Sequence, residues 1–460
     1  MAQGAYYIES KGEAAIIDPL REVHPYLAMA EKNKATIKYV FETHFHADFV
    51  SGHVDLAKKT GATIVYGPGA KTEFDIHQAK DGEIFEIGDV KVKVLHTPGH
   101  TLESSTFLLI NEEGKEHAIF SGDTLFIGDV GRPDLAQKGD ITQDDLAGML
   151  YESLRTKIMT LPDDVIVYPA HGAGSACGKN MSKETSDTLG HQKQVNYALR
   201  ADMTKEEFIR EVTDGLLPPP QYFAQNVAMN KSADTSGIDR ILEKGKVALD
   251  VDTFEAMANH EGALVLDTRH QKQFANGFIP NSIFIGIDGS FAPWVGALIP
   301  DLQQPIIFLA DEGREAEVVT RLSRVGYDNT LGYLEGGIEA WIAAGKEVDT
   351  VTSVSAQVLK ENLESGTASV LDVRKPGEYL AEHIEKAKNT PLDFINDEMA
   401  RIDKDTEYFI HCAGGYRSMI FSSILKSRGY EKIIDVDGGF KAIQEAGIPV
   451  TDYVCPSTLK

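Results

Sequence analysis

Phe41-Glu-Thr-His44-Phe-His46-Ala-Asp48-Phe49-Val-Ser-Gly-His53 gathers three histidines and an aspartate at the end of an apolar run. That run, Thr36-Ile-Lys-Tyr-Val-Phe41, reads as a buried strand, and His44 and His46 then project together from the turn after it. Neutral imidazoles converging on one point suit a transition metal. Three more segments end in the same way. Lys93-Val-Leu-His96-Thr-Pro-Gly-His100 leads into a turn carrying His100, Ala118-Ile-Phe-Ser-Gly-Asp123 ends in a carboxylate, and Val165-Ile-Val-Tyr-Pro-Ala-His171 ends in another histidine. Between the last two lies a charged loop, Gly131-Arg132-Pro-Asp134. One histidine after a strand is ordinarily a satisfied polar residue, but a series of strand-end His and Asp residues makes a site.

Composition bounds the rest. A chain of 460 residues is too long for one core. A formal charge of −25 without a basic block disfavours nucleic acid and anionic membranes, both of which need concentrated Lys and Arg. No basic leader followed by an apolar stretch opens the chain, and no apolar run approaches the roughly eighteen residues of a membrane span, so a cytoplasmic protein is expected. Homo-oligomerisation is left open. The cysteines Cys177, Cys412 and Cys455 are few, odd in number and widely spaced, which argues against a disulfide framework and leaves single thiols for chemistry.

An internal repeat organises the second half. Leu264-Val-Leu-Asp-Thr-Arg269 matches Val370-Leu-Asp-Val-Arg374, and Leu334-Glu-Gly-Gly-Ile-Glu-Ala-Trp341 matches Val436-Asp-Gly-Gly-Phe-Lys-Ala442. Two copies of roughly a hundred residues are too few and too long for a solenoid, and strand–helix alternation predicts two tandem α/β domains with parallel sheets. The expected division is 1–246, 247–350 and 351–460. The copies differ where chemistry would sit. The second has His411-Cys412-Ala-Gly414-Gly415-Tyr416-Arg417 after its strand, whereas the first has Asp311 in place of the cysteine. The first copy is therefore expected to be a spacer or docking surface.

Around Cys412, the paired glycines let the backbone curl so that N–H groups turn inward beside a helix beginning near Arg417, a setting that stabilises a thiolate or persulfide. The stretch resembles the active loop of the rhodanese (sulfurtransferase) family, whose six-residue span from Cys to Arg is matched by Cys412 to Arg417. Phosphatases of related topology use a loop one residue longer. The resemblance covers about 351–460, including Asp372-Val-Arg374, Glu378-Tyr379 and Gly438-Gly439, with Glu382 where the family has glycine before His383-Ile384. It implies Cys412 and Arg417 as catalytic, with Gly414, Gly415 and Tyr416 binding substrate. Residues 247–350 resemble the same family without its cysteine.

The N-terminal motifs together resemble the metallo-β-lactamase fold, an αββα sandwich, and within it the glyoxalase II and persulfide dioxygenase branch. In binuclear members of that branch the residue after Asp48's position is a histidine holding a second metal; Phe49 cannot ligate. The resemblance to persulfide dioxygenases then implies one Fe(II) on His44, His100 and Asp123, a facial triad with positions left for O₂ and a substrate sulfur. His46, Asp48 and His171 become neighbouring groups that orient ligands or substrate. Zinc on His44, His46 and His100 is the competing assignment, and Asp48 could equally hold a histidine tautomer. Cys177, in Gly172-Ala-Gly-Ser-Ala-Cys177-Gly178, is either a small residue in a turn or a catalytic thiol in reach of the metal. Arg132 either grips the substrate thiol's anionic group or pairs with Asp134.

The whole chain resembles bacterial fusions of a persulfide dioxygenase, an inactive rhodanese domain and an active one. The implied function is oxidation of a low-molecular-weight thiol persulfide with O₂ to sulfite plus thiol, coupled to transfer of sulfane sulfur from Cys412 onto sulfite to give thiosulfate. A binuclear thioester hydrolase of the glyoxalase II type and a non-catalytic sulfur relay are the alternatives.

Overall fold

Strand Thr36–Glu42, whose C-terminal end carries the histidine-rich loop, is the central member of a five-stranded sheet ordered Tyr6–Ser10, Glu13–Ile17, Thr36–Glu42, Thr63–Tyr66, His77–Gln78. The computed structural model describes residues 3–137, 139–179, 181–233 and 236–455. A second sheet of six strands runs in the order Asp187–Thr188, Ile166–Pro169, Glu116–Gly122, Ser105–Ile110, Val90–His96, Ile84–Ile87.

Successive side chains of a strand point to opposite faces, and each sheet uses both. Phe41 and Val65 of the first sheet meet Val94, Phe107 and Phe120 of the second in the layer between them, with Phe41 and Phe107 ring centroids 4.9 Å apart. The intervening residues face outward onto helices. Ile64 and Tyr66 pack with Val54 of helix His53–Thr60, while Leu95, Leu108 and Ile119 pack under helices Gln143–Ser153, Leu189–Val195 and Lys205–Thr213. The result is helix, sheet, sheet, helix. Each fully buried phenylalanine in the central layer contributes about 2–3 kcal/mol of transfer free energy.

The described residues fall into two units, one reaching Arg240 and including Ser323–Gly326, the other comprising Ile241–Leu322 and 327 onward. The second unit contains two five-stranded sheets with every pairing parallel. One is ordered Ala248–Leu249, Thr330–Leu334, Ile306–Leu309, Leu264–Asp267, Ile283–Phe284; the other Thr352–Val354, Ile433–Val436, Tyr408–His411, Ser369–Asp372, Lys388–Asn389.

The repeat is visible at the level of single hydrogen bonds. Arg269 Nε and Nη2 donate to Asp267 at 3.0 and 2.6 Å, and Arg374 donates to Asp372 at the same two distances. Each arginine also caps a backbone carbonyl, that of Gly277 in one copy and Glu382 in the other. Because that contact is to the main chain, glutamate at 382 serves as well as glycine. Both pairs are buried, and each ties the end of its strand to the loop that follows.

The strands and helices expected around the site are present, with ends displaced by one to three residues. The helix after the cysteine loop spans Tyr416–Ser427, starting one residue before Arg417 because Gly415, at φ 96°, makes the left-handed turn at its N-terminus. Helix Phe223–Lys231 follows later in the first unit. Among the described residues no helix is long and apolar enough to cross a membrane.

Candidate metal centre and thiol loop

The ends of four strands of the first unit deliver His44, His46, Asp48, His100, Asp123 and His171 to one buried place, each at most 6 % exposed. His44, His100 and Asp123 offer ligand atoms within 4.8 Å of one another, and so, separately, do His46, Asp48 and His171. The competing set of His44, His46 and His100 forms no such group among the described residues.

The imidazoles are set by their outer hydrogen bonds. His100 Nδ1–H donates to the Arg132 carbonyl at 2.8 Å, leaving the Nε2 lone pair toward Asp123 Oδ2 at 3.3 Å. Thr43 Oγ1 gives its proton to Asp18 at 2.8 Å and so accepts from His44 Nδ1 at 3.0 Å, which again leaves Nε2 unprotonated, 3.8 Å from the same oxygen. Burial and the neighbouring rings of His46, His100 and His171 hold His44 well below the usual imidazole range, so it is neutral. Both carboxylate oxygens of Asp123, Oδ1 of Asp48 and both ring nitrogens of His171 are buried without a hydrogen-bond partner. A neutral His44, with the His100 and His171 rings, facing buried carboxylate oxygens that have no hydrogen-bond partner is a donor set that fits a divalent cation.

His46, besides its grouping with Asp48 and His171, has two carboxylate neighbours. Its Nε2 lies 3.1 Å from Asp18 and 3.4 Å from Glu42, and although burial works to lower its pKa, these carboxylates hold it well above the usual range. Phe49, with no exposed surface, packs its ring 4.4 Å from that of His46.

Two glycines of the motifs are required by close approach. Gly99 of Thr-Pro-Gly-His has φ 147°, and a Cβ there would strike the backbone of Leu150. A Cβ on Gly131 would strike the Asp123 carbonyl and press on His100 Nδ1.

Arg132 donates twice to Asp134, at 2.6 and 2.7 Å, and to the carbonyls of Ala176 and Leu217. Of its two sequence readings the structure shows the ion pair. Cys177 is buried, with its sulfur within 4.8 Å of ligand atoms of Asp123 and His171. Burial and the charges of Asp48 and Asp123 push its thiol well up.

Residues with no motif of their own hold the loop. Asn230, from helix Phe223–Lys231, donates to the carbonyls of His46 and Phe49 and accepts from Ser51 N–H, all at 2.8 Å. Glu103 accepts from Phe45 N–H at 3.0 Å and Asp18 from Thr43 N–H at 2.8 Å. Sequence reading passes over them because an isolated Asn or Asp carries no signal; only burial marks them.

In the second unit, buried Cys412 follows strand Tyr408–His411, and its Sγ accepts from Gly415 N–H at 3.1 Å. Phe440 N–H donates to the Cys412 carbonyl at 2.7 Å, and Gly439 must be glycine because a Cβ there would meet that carbonyl. Arg417 makes a two-pronged pair with Glu378 at 2.6 and 2.8 Å. Gly414 is exposed at the rim, whereas the Tyr416 hydroxyl is bonded to the carbonyl of Gly286 in the first repeat. At the corresponding place in that repeat Asp311 accepts from Gln273, and Arg314 pairs with Asp288 and Glu317.

Known protein families match these parts in order. The metallo-β-lactamase superfamily model matches residues 3–171, and the rhodanese-like domain model matches 250–344 and 355–446. A probable hydroxyacylglutathione hydrolase of Schizosaccharomyces pombe is 33 % identical over 187 residues, covering 40 % of this chain and 68 % of that protein. The mitochondrial persulfide dioxygenase of Homo sapiens is 31 % identical over 212 residues, or 45 % and 74 %. The crystal structure of a metallo-β-lactamase from Staphylococcus aureus is 30 % identical, with a TM-score of 0.63 over 72 % of this chain and 95 % of that one. The chain belongs to the metallo-β-lactamase superfamily and carries two rhodanese-like domains.

Metallo-β-lactamase-superfamily proteins bind metal ions, and in this member the strand-end His and Asp residues form the groups able to do so. Of its two rhodanese-like domains, only the second has a cysteine in the loop after its central strand.

Proposed function

We propose that this protein is a persulfide dioxygenase joined to a sulfurtransferase, with domains at 1–246, 247–350 and 351–460. The metal reading assigns a single ferrous iron to His44, His100 and Asp123; when bound, it supplies O₂ activation and a Lewis-acid site for a terminal sulfur. The chain's own groups do the rest. Thr43 and the Arg132 carbonyl hold the two imidazoles in the ligating tautomer, and the apolar wall at Phe49 excludes water from one side. One thiol persulfide, one O₂ and one water give one thiol and one sulfite, the sulfane sulfur being oxidised and O₂ reduced.

At the second centre, Cys412 would carry sulfane sulfur as a persulfide, steadied by the Gly415 N–H. Sulfite attacks the outer sulfur, the S–S bond breaks toward Cys412, and thiosulfate leaves.

Phe49 carries the reading: a fully buried aromatic ring occupies the place of a second-metal histidine, and beside it His46 is drawn toward Asp18 and Glu42. Anaerobically purified protein should hold about one iron per chain and consume O₂ on addition of a thiol persulfide. Two tightly bound zinc ions with thioester hydrolysis would overturn it. That second reading, a binuclear hydrolase, draws its support from the separate grouping of His46, Asp48 and His171 and from similarity to hydroxyacylglutathione hydrolases.

A further inference from the structure

Residues 284–289 of the repeat without a cysteine run along the helix that begins at the Cys412 loop. Phe284 N–H donates to Ser423 Oγ at 3.0 Å, and Tyr416 donates its hydroxyl to the Gly286 carbonyl at 2.6 Å. The Tyr416 ring meets Phe284 edge-on with centroids 5.9 Å apart. Its other neighbour is Gly289, where an added Cβ would collide with three atoms of the ring. The φ of Gly289 is not in the left-handed region, so space for Tyr416 rather than backbone conformation demands the glycine.

The opposite side of the loop is held from the same repeat. Lys272 pairs at 3.0 Å with Asp437, which precedes the Gly438-Gly439 turn packed on the Cys412 carbonyl. That pair is largely exposed and worth little by itself; the ring contact carries the weight. Tyr416 directly follows Gly415, whose N–H points at the sulfur.

We propose that the cysteine-free repeat is a clamp on the sulfur-transfer loop, with Tyr416 and Gly289 as positioning residues that fix the Gly415 N–H against Cys412. The inference rests on Cys412 being the sulfur-transfer nucleophile. In the assay, the Cys412 thiolate attacks the outer sulfur of thiosulfate and releases sulfite; cyanide then takes that sulfur as thiocyanate and restores the thiolate.

With the full chain, Gly289→Ala should lower kcat about tenfold while the KM for thiosulfate stays within about twofold, and Tyr416→Phe should lower it about threefold. Tyr416→Leu with Gly289→Ala should be no worse than Tyr416→Leu alone, because the collision is gone. Unchanged kcat in folded Gly289→Ala, or single losses that multiply in the pair, would overturn the clamp. Should Gly289→Ala fail to fold, Tyr416→Phe decides by the same comparison. Alkylation of Cys412 by iodoacetamide, followed on its own peptide, separates the two ideas. A wild-type chain that transfers no sulfur refutes the Cys412 reading, while the clamp stands only if the alkylation rate changes at least about fivefold in the variants.

Discussion

The His100 Nδ1–H donates to the backbone carbonyl of Arg132, and the guanidinium of that same Arg132 is tied to Asp134. The residue whose carbonyl selects which nitrogen of His100 faces Asp123 is thus anchored by an ion pair, and by its own N–H donating to the Cys177 carbonyl at 2.9 Å.

Arg132→Lys, which cannot make the two-pronged bond, should weaken iron binding about tenfold without touching a ligand. Competition against a chelator reads this directly. An unchanged affinity would mean that the carbonyl is held by other contacts.

Cys412→Ser should leave persulfide-dependent O₂ uptake intact and shift the product from thiosulfate to sulfite. If O₂ uptake vanished while iron stayed bound, the two centres would not be separate in chemistry.

Asn230→Ala leaves two buried carbonyls and the Ser51 N–H without their partner, at a cost of about 3 kcal/mol. Denaturant unfolding measures the loss, and under the proposed function iron content should fall with it because the carbonyls belong to the loop that carries His44 and His46. A variant within about 0.5 kcal/mol of wild type would remove Asn230 from the account.

Burial, outweighing hydroxyl hydrogen bonds such as that from Ser353 at 3.3 Å, pushes the Asp435 carboxyl from 3.8 up to about 6. The folded state therefore holds this proton more tightly than the unfolded chain. Its contribution to stability is greatest below 3.8, is lost as pH rises toward about 6, and is flat above. Asp435→Asn should abolish that slope and gain about 3 kcal/mol at pH 7, seen in denaturation curves across the window.

The strands that bear His44, His100, Asp123 and His171 were legible because apolar runs ending in ligand-type residues are local patterns, and the repeat was legible because each copy keeps Asp-x-Arg and Gly-Gly at matching places. Asn230, Glu103 and Asp18 were not. Each sits far along the chain from the loop it holds, and nothing in its neighbours' identity reveals that it is buried.

By itself, then, the sequence determined the fold class, the strand-end His and Asp residues that come together, and which rhodanese-like repeat keeps a cysteine in its loop, since all of these are written in short windows of residue type and spacing. Tertiary structure decided what such windows cannot contain: that Arg132 spends its guanidinium on Asp134, that His46 turns toward Asp18 and Glu42, and that Gly289 makes room for Tyr416. Those outcomes depend on which distant groups burial brings within hydrogen-bond reach, and that is settled only when the layers pack.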